Sequence, residues 1–354
     1  MKIPYRTRRM LSFLGTVLMV FILIFSIVWL CWVVWLERYI VYTRDGAVLD
    51  LEVSANTLTG EAAIPPVADT SKVSIYYNEG ADAIESSNVL TQLDGYFISA
   101  DALTTDIAGS WEALDHLSSG TPIMIDLKGG YGSFYYSSNL PGAIASASVS
   151  TASVDEIIND MKSKGFYTIA RISAFRDYEY GRKNVANGLM HVNRMGLWPD
   201  EGGCYWLNPT EPAVLNWVSS MVNELRDLGF DEVVLADFRF PAGESYIFNG
   251  DKDAAIQQAA ATIYSNCASP NFTLSFSVAS TTFTLPQGRC RMYLEGVSAE
   301  NVGSRTAMLK IEEPQIRLVF VAETNDTRYN EYGVLRPIDS SEQLEAQKIA
   351  MGQR

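Results

Sequence analysis

Histidine is almost missing from this chain: His116 and His191 are the only two in 354 residues. That scarcity argues against an imidazole-rich metal centre. The four cysteines, Cys31, Cys204, Cys267 and Cys290, form no CxxC pair, which removes zinc knuckles and thioredoxin-type redox pairs. Positive charge is short as well. With 27 Lys+Arg against 41 Asp+Glu and a net charge of −14, the chain has little with which to neutralise nucleic-acid phosphates. Nucleotide-cradling loops are also lacking, since no GxGxxG or GxxxxGK follows the first apolar strand. The Gly-rich KGGYGS at 128–133 leads into FYYSSNLP rather than a helix, a weak phosphate cradle. No cofactor, metal or nucleic-acid partner is expected.

What is present is apolar and unevenly spread. A hydrophobic content of 47% supplies ample core material and argues against wholesale disorder. Residues 10–36, MLSFLGTVLMVFILIFSIVWLCWVVWL, carry no charge at all. About 20 apolar residues suffice to cross a bilayer as a helix, so this run reads as a transmembrane anchor. Lys2, Arg6, Arg8 and Arg9 precede it, and Trp29, Trp32, Trp35 and Tyr39 gather at its far end. The positive-inside rule and the aromatic belt then put the N-terminus in the cytoplasm and the main domain outside. A cleaved signal peptide is the competing reading, but its apolar core should be only about 7–15 residues long and end at small residues. An outside address permits a Cys267–Cys290 disulfide; three buried or free thiols are the plainer alternative. The expected layout is a basic tail (1–9), an anchor (10–36), a linker with short strands (37–80), a folded domain (81–335) and a C-terminal tail (336–354).

Within the folded domain, short apolar strands alternate with helices. GYFISA (95–100), PIMIDL (122–127), FYTIARIS (166–173), VVLADF (233–238) and FTLSFSVA (272–279) read as buried strands. Between them lie a short helix in WEALDHL, a helix opened by a Ser153/Glu156 capping box and stopped at Gly165, a long amphipathic helix opened by Thr210 and stopped at Gly229, and a helix opened by Asp251. Such alternation means parallel strands covered by helices. A closed (β/α)8 TIM-like barrel and an open doubly wound sheet both fit. RMYLEGV (291–297), TAMLKI (306–311) and IRLVFVAE (316–323) bring the strand count to eight. Only EEPQ separates the last two, which is too short for a parallel crossover, so the closing third is expected to be irregular.

In both architectures functional groups gather at the C-terminal ends of the strands. The polar residues there are Asp101, Asp126, Lys128, Arg171, Arg176, Asp177, Asp237, Arg239 and Glu244, with Glu295 and Glu323 on later strands. A carboxylate inside an apolar strand is costly unless paired, and Arg171 and Arg239 are available to Asp126 and Asp237. Two readings follow: a structural ion-pair network, or glycoside chemistry with one carboxyl as acid and another as nucleophile or base. The loops are aromatic, with Tyr131, Phe134, Tyr135, Tyr136, Phe175, Tyr178, Tyr180, Trp198, Tyr205, Trp206, Tyr246 and Phe248. Such residues suit stacking on sugar rings, or form satellite cores beneath long loops.

Four runs in order, IDLKGGYG (125–132), KGFYTIARISAFRD (164–177), LWPDEGGCYWLNP (197–209) and LGFDEVVLADFRFP (228–241), resemble the putative glycosyl hydrolase domain, a bacterial barrel family. The resemblance covers about residues 95–241 and implies a glycosidase-like (β/α)8 barrel. By position it implies roles for Asp126 and Lys128, Arg171 and Asp177, Trp206 and Asn208, and Asp237 and Arg239, with Asp237 where related glycosidases hold a nucleophile. The sequence departs from those barrels in FTLSFSVAS (272–280), which offers no Glu at the end of the fifth strand, and in lacking the family's later P-M-x-Y-P element. The expected second carboxyl is then Asp126, Glu295 or Glu323. The expected partner is a cell-envelope or environmental polysaccharide, hydrolysed or merely bound; Lys128, Arg171, Asp177, Trp206, Asn208 and Arg239 are the expected substrate contacts.

Overall fold

The computed structural model describes residues 90–278 and 280–338, together with 40–43, 46–49 and positions 19, 22, 23, 25, 26 and 29. The chain divides into two compact units, Met1–Tyr77 and Asn78–Arg354. In the first, strands β1 (Ile40–Thr43) and β2 (Gly46–Leu49) pair antiparallel, Ile40 against Leu49. Most of the expected anchor, like the basic tail, most of the 37–80 linker and nearly all of the C-terminal tail, lies outside the described residues. Its described members are helical: Met19, Ile22, Leu23, Phe25, Ser26 and Trp29. Their apolar side chains are exposed, and the Ser26 hydroxyl donates to the Ile22 carbonyl rather than staying unpaired. Among the described residues no helix is long and apolar enough to cross a membrane.

The second unit is built on eight parallel strands that close on themselves. In chain order they are β3 (Asp94–Ile98), β4 (Pro122–Lys128), β7 (Tyr167–Ser173), β8 (Glu232–Ala236), β9 (Thr273–Ser277), β10 (Met292–Glu295), β11 (Leu318–Val321) and β12 (Gly333–Pro337). Each pairs with its sequential neighbour, and β12 returns to β3 with Arg336 opposite Tyr96. Two short strands, β5 (Ser133–Phe134) and β6 (Ile144–Ala145), extend the edge of β4, β5 folding back antiparallel onto it. The Gly-rich 128–133 segment is therefore the turn of a hairpin, not a phosphate loop.

Period-2 alternation splits the core in two. Met124, Ile169, Val234, Tyr293, Val319 and Leu335 fill the barrel interior. Ile123, Ile125, Ile172, Val233 and Leu235 face outward against helix residues such as Ile157, Met161, Val218 and Leu225. Both sides of each strand are thus dry, which is why the strands read as continuous apolar runs. Gly95 is required where β3 meets β4, since a Cβ there would come within 2.0 Å of the Pro122 carbonyl oxygen.

Several sequence expectations change. TAMLKI is no strand: it ends the helix Val302–Leu309, whose buried residues Val302 and Leu309 lie two turns apart on one face. The crossover from β10 to β11 runs through this helix, so the apparent four-residue connection disappears. The eighth strand is instead GVLRP, β12, which extends two residues beyond position 335. Its short apolar stretch carries little periodic signal. The crossover into it contains only a 3-10 turn, Thr327–Tyr329, so the barrel's last unit lacks its helix. Two caps also move. Ser150, not Ser153, accepts from the Ser153 N–H and opens Thr151–Ser163, and Glu211 precedes a helix that starts at Pro212. Asp251 caps Lys252–Cys267 as expected. Cys204, Cys267 and Cys290 are all buried free thiols, so the Cys267–Cys290 disulfide does not form.

Candidate functional site

At the C-terminal mouth of the barrel, one arginine gathers two of the predicted carboxylates. Arg171 on β7 donates from Nη1 to Asp126 Oδ1 at 2.7 Å and from Nη2 and Nε to Glu295 at 2.7 and 3.2 Å. Ser277 at the end of β9 donates to the same Glu295 at 2.8 Å. The other Asp126 oxygen accepts the Ala100 N–H at 2.8 Å. The register of β4 against β7 shifts between Asp126 and Lys128, a bulge of the kind that re-aims side chains at barrel rims.

Burial pushes the Asp126 carboxyl above its usual range, against the pull of Arg171 and the Ala100 N–H. The hydrogen bonds point the other way: both oxygens accept, and neither is left to donate. With both oxygens accepting, Asp126 is the anchor of Arg171 rather than a proton donor. Burial opposes the charge on Arg171, but Asp126 and Glu295 outweigh it and raise its pKa. Burial and Asp126 also raise the Tyr135 phenol.

Glu295 opens onto a cleft of about 640 Å³ whose walls include Phe97, Asp101, Val321, Glu323 and Pro337. Asp101 and Glu323 are exposed, and neither carboxylate has a hydrogen-bonding or ion-pair partner among the described residues. Glu323 also lines a second, adjoining cavity of about 540 Å³.

Asp237 stands just past the end of β8, the fourth barrel strand, with φ at +50°. Few residues other than glycine adopt this left-handed region, and where they do the strain is often part of a functional site. Ser173 Oγ lies 2.7 Å from Asp237 Oδ2 and 2.8 Å from the Arg176 carbonyl oxygen, sharing one hydroxyl proton between two acceptors.

Most of the remaining predicted contacts are committed inside the protein. Lys128 and Asp177 form a buried ion pair at 3.0 Å with side chains at most 1% exposed, so they do not face a ligand as expected. Lys128 also donates to the Ser173 carbonyl, and Asp177 caps the Tyr178–Lys183 helix. Trp206 is buried and donates to Asp200 at 3.0 Å. Asn208 turns the chain ahead of the Pro212 helix through bonds to Thr210 and Glu211. Arg239 is exposed, with its guanidinium 5.0 Å from the Trp206 ring centre. Five of the twelve aromatic loop residues, Phe134, Tyr136, Phe175, Trp206 and Tyr246, are buried, Tyr135, Tyr180, Trp198 and Phe248 pack against the core, and Tyr131 is strongly exposed. The satellite-core reading of these aromatics therefore holds over the stacking one.

Sequence reasoning missed Ser173, Ser277 and the hub Asp200. Asp200 accepts from Arg176 at 2.6 Å, from Trp206, and from the Gly202 and Cys204 N–H groups. Burial opposes its charge, yet these donors hold its carboxyl down at about 2. It lies in the W-P-D part of the third motif, which was the available signal; the two serines had none. Among the described residues no group of three or more His, Cys, Asp or Glu could hold a metal ion.

Residues 104–279 match the family described as "Putative glycosyl hydrolase domain". The matched segment contains Asp126, Arg171 and Asp237 and stops short of Glu295 and Glu323. No curated protein matches the sequence. Among solved structures, a hypothetical protein from Ruminiclostridium thermocellum is similar at 21% identity, over 52% of this chain and 97% of that one, with a TM-score of 0.45. The glycoside hydrolase domain of PelA from Pseudomonas aeruginosa is similar at 12% identity, over 70% and 95%, with a TM-score of 0.43. An alpha-galactosidase from Lactobacillus brevis is similar at 10% identity, over 75% and 40%, with a TM-score of 0.47.

Proposed function

We propose that this protein is a membrane-anchored glycoside hydrolase that acts outside the cell on a polysaccharide. The observation that carries the reading is Asp237, held by Ser173 in a left-handed conformation at the end of the fourth strand of a barrel whose family is described as glycosyl hydrolase. Asp237 serves as nucleophile or base. Glu295, on the open wall of the cleft, is the second carboxyl of the pair that glycoside cleavage requires. Arg171, anchored by Asp126, fixes Glu295 through two hydrogen bonds, and Glu323 and Asp101 contact the glycan.

A second reading is favoured by one fact: Glu295 already accepts three hydrogen bonds, two from Arg171 and one from Ser277. On that reading the cleft binds glycan without cutting it. A hydrolysis and binding screen over neutral, amine-bearing and acidic polysaccharides separates the two, with Asp237→Asn beside the wild type. Loss of cleavage with retained binding supports the hydrolase. Binding without cleavage by the wild type supports the second reading.

The anchor rests on the uncharged 10–36 run and on the exposed apolar side chains of its described helical members. Retention of the chain in membranes washed with alkaline carbonate, and digestion of the barrel by protease added to intact cells, are the expected results. Release into the wash, or protection from protease, contradicts the placement.

A further inference from the structure

Two arginines near Asp237 hold hydrogen-bond donors in reserve. Ser173 occupies Asp237 Oδ2 at 2.7 Å, and Oδ1 has no hydrogen-bond partner among the described residues. Arg176 is gripped by Asp200, Nε to Oδ2 at 2.6 Å and Nη2 to Oδ1 at 3.4 Å. Its Nη1 donates to nothing among the described residues. Neither Asp237 Oδ1 nor Arg176 Nη1 is a buried unpaired atom, as Arg336 Nε is, so both reach solvent. The Arg176 guanidinium is seated rather than loose. A Cβ at Gly130 would come within 2.7 Å of Nη1, and one at Gly202 within 2.7 Å of Nη2. Tyr131 ties those two loops together, its hydroxyl donating to the Gly202 carbonyl at 2.7 Å. The Asp200 hydrogen bond raises the Arg176 pKa against burial, and the Asp237 charge adds to the rise.

Arg239 supplies the second fork. It is exposed, lies with its guanidinium 5.0 Å from the Trp206 ring centre, and spends only Nη1, on the Phe240 carbonyl at 3.2 Å. No carboxylate pairs with it among the described residues. Its backbone N–H donates to the Asp237 carbonyl at 2.9 Å, which fixes the two residues to each other. Trp206 links the two arginines, because its Nε1 donates at 3.0 Å to the same Asp200 oxygen that holds Arg176 Nε. Arg171 differs, since Asp126 and Glu295 take its Nε, Nη1 and Nη2. The exposed carboxylates of the mouth also stand elsewhere: Glu295 ends β10 and Glu323 follows β11, whereas the arginines follow β7 and β8.

Resting on the proposed glycosidase role of Asp237, we infer that the sugar seated there is acidic, a uronic acid whose carboxylate is received by Arg176 Nη1 and Arg239. A guanidinium fork matches a planar carboxylate in both shape and charge. The hydroxyls of a neutral sugar accept weaker bonds from the same donors. An amine-bearing sugar meets like charge.

The test is calorimetric binding by the full-length chain in detergent at pH about 7, where carboxylates are ionised, and about 0.15 M salt. The probes are six-sugar oligomers of galacturonate, of mannuronate, and of glucuronate alternating with N-acetylglucosamine. Each is set beside its carboxyl-reduced form, which keeps the linkages and loses the charge. A sulfated six-sugar glucan carries charge without the planar carboxylate. At least one acidic oligomer is expected to bind about tenfold or more tighter than its reduced form and than the sulfated chain. Arg239→Gln, and Arg176→Lys, which keeps a charge beside Asp200 without the fork, should each cut that advantage about threefold or more. Arg328→Gln, beyond β11, should leave it intact. Equal binding of acidic and reduced forms, equal binding of the sulfated chain, an advantage that survives both Arg239→Gln and Arg176→Lys, an equal loss in Arg328→Gln, or no binding by any acidic oligomer overturns the inference. Binding of an acidic oligomer without its cleavage counts against the hydrolase reading alone; cleavage confined to neutral or amine-bearing chains counts against this inference alone.

Discussion

Two of the barrel's polar networks, each centred on an arginine, have opposite characters. At the N-terminal end, Arg291 pairs with Glu232, with both side chains at most 1% exposed. Ser275, Tyr293 and Tyr167 donate to the remaining lone pairs of Glu232 at 2.6, 2.9 and 3.0 Å. Arg291 spends its other donors on the Ile316 and Thr91 carbonyls. Nothing is left over for a ligand. At the C-terminal end, Arg171 pairs with Asp126 and Glu295, but the Glu295 side chain keeps 35% of its surface exposed and lines a cleft. The same chemical pair thus closes one end of the barrel and equips the other. Residue type does not distinguish them; solvent access and spare bonding capacity do.

The sharpest way to break this comparison is to remove each arginine in turn. Arg291→Met leaves Glu232 buried without its counter-ion and should cost about 3–5 kcal/mol of stability in a urea titration. Adding Glu232→Leu should recover most of the loss, because an apolar pair of similar volume often replaces a buried ion pair without penalty. Arg171→Met should cost less, about 2–3 kcal/mol, because Glu295 reaches water although the buried Asp126 also loses its counter-ion, while glycan cleavage falls about a hundredfold. Equal stability losses at the two sites would erase the distinction.

A smaller effect concerns Asp200, whose carboxyl is held at about 2 in the fold. A depressed folded value contributes stability that is present above the ordinary carboxylate range, near 3.9, and is lost as pH falls toward 2. Asp200→Asn should therefore be less stable than wild type at neutral pH by about 1 kcal/mol after solvent screening. The gap should close between pH about 4 and 2. A gap independent of pH would mean that Asp200 acts through packing alone.

The smallest effect should be a gain. Asp237→Gly removes a left-handed conformation that costs most residues about 1–2 kcal/mol. Thermal unfolding should show it slightly more stable than wild type, by less than about 1 kcal/mol because Gly also loses more entropy on folding, while cleavage is abolished. A destabilised variant would show that the Ser173 contact outweighs the strain.

Much of this was legible in the sequence. Seven of the eight barrel strands, and the clustering of Asp126, Arg171 and Glu295 at one end, follow from apolar runs interrupted by charge. The last third was not legible for local reasons. TAMLKI has the alternation of a strand, but Val302 and Leu309 give its segment a helical face. Gly333–Pro337 is stabilised by pairing with Leu318–Val321 and Asp94–Ile98, the second of them remote in sequence. The site failed to read out wherever partners were distant. Lys128 and Asp177, 49 positions apart in sequence, look like a ligand-binding pair at strand ends, yet they spend their charges on each other. Glu232 carries no warning either: it opens an apolar strand, and only Arg291, 59 residues on, explains it.

The most direct test is Glu295→Gln, assayed for reducing-sugar release and thermal unfolding on the same preparation. Glu295 is partly exposed, and the amide oxygen of its replacement can still accept from Arg171 Nε and Ser277 while only the Nη2 bond is lost, so the unfolding temperature should stay within about 2–4 °C of wild type. Release of reducing sugar should fall about a hundredfold or more. Undiminished release would contradict the account, because the open network at the mouth of the barrel would then be structural, like the sealed one at its base.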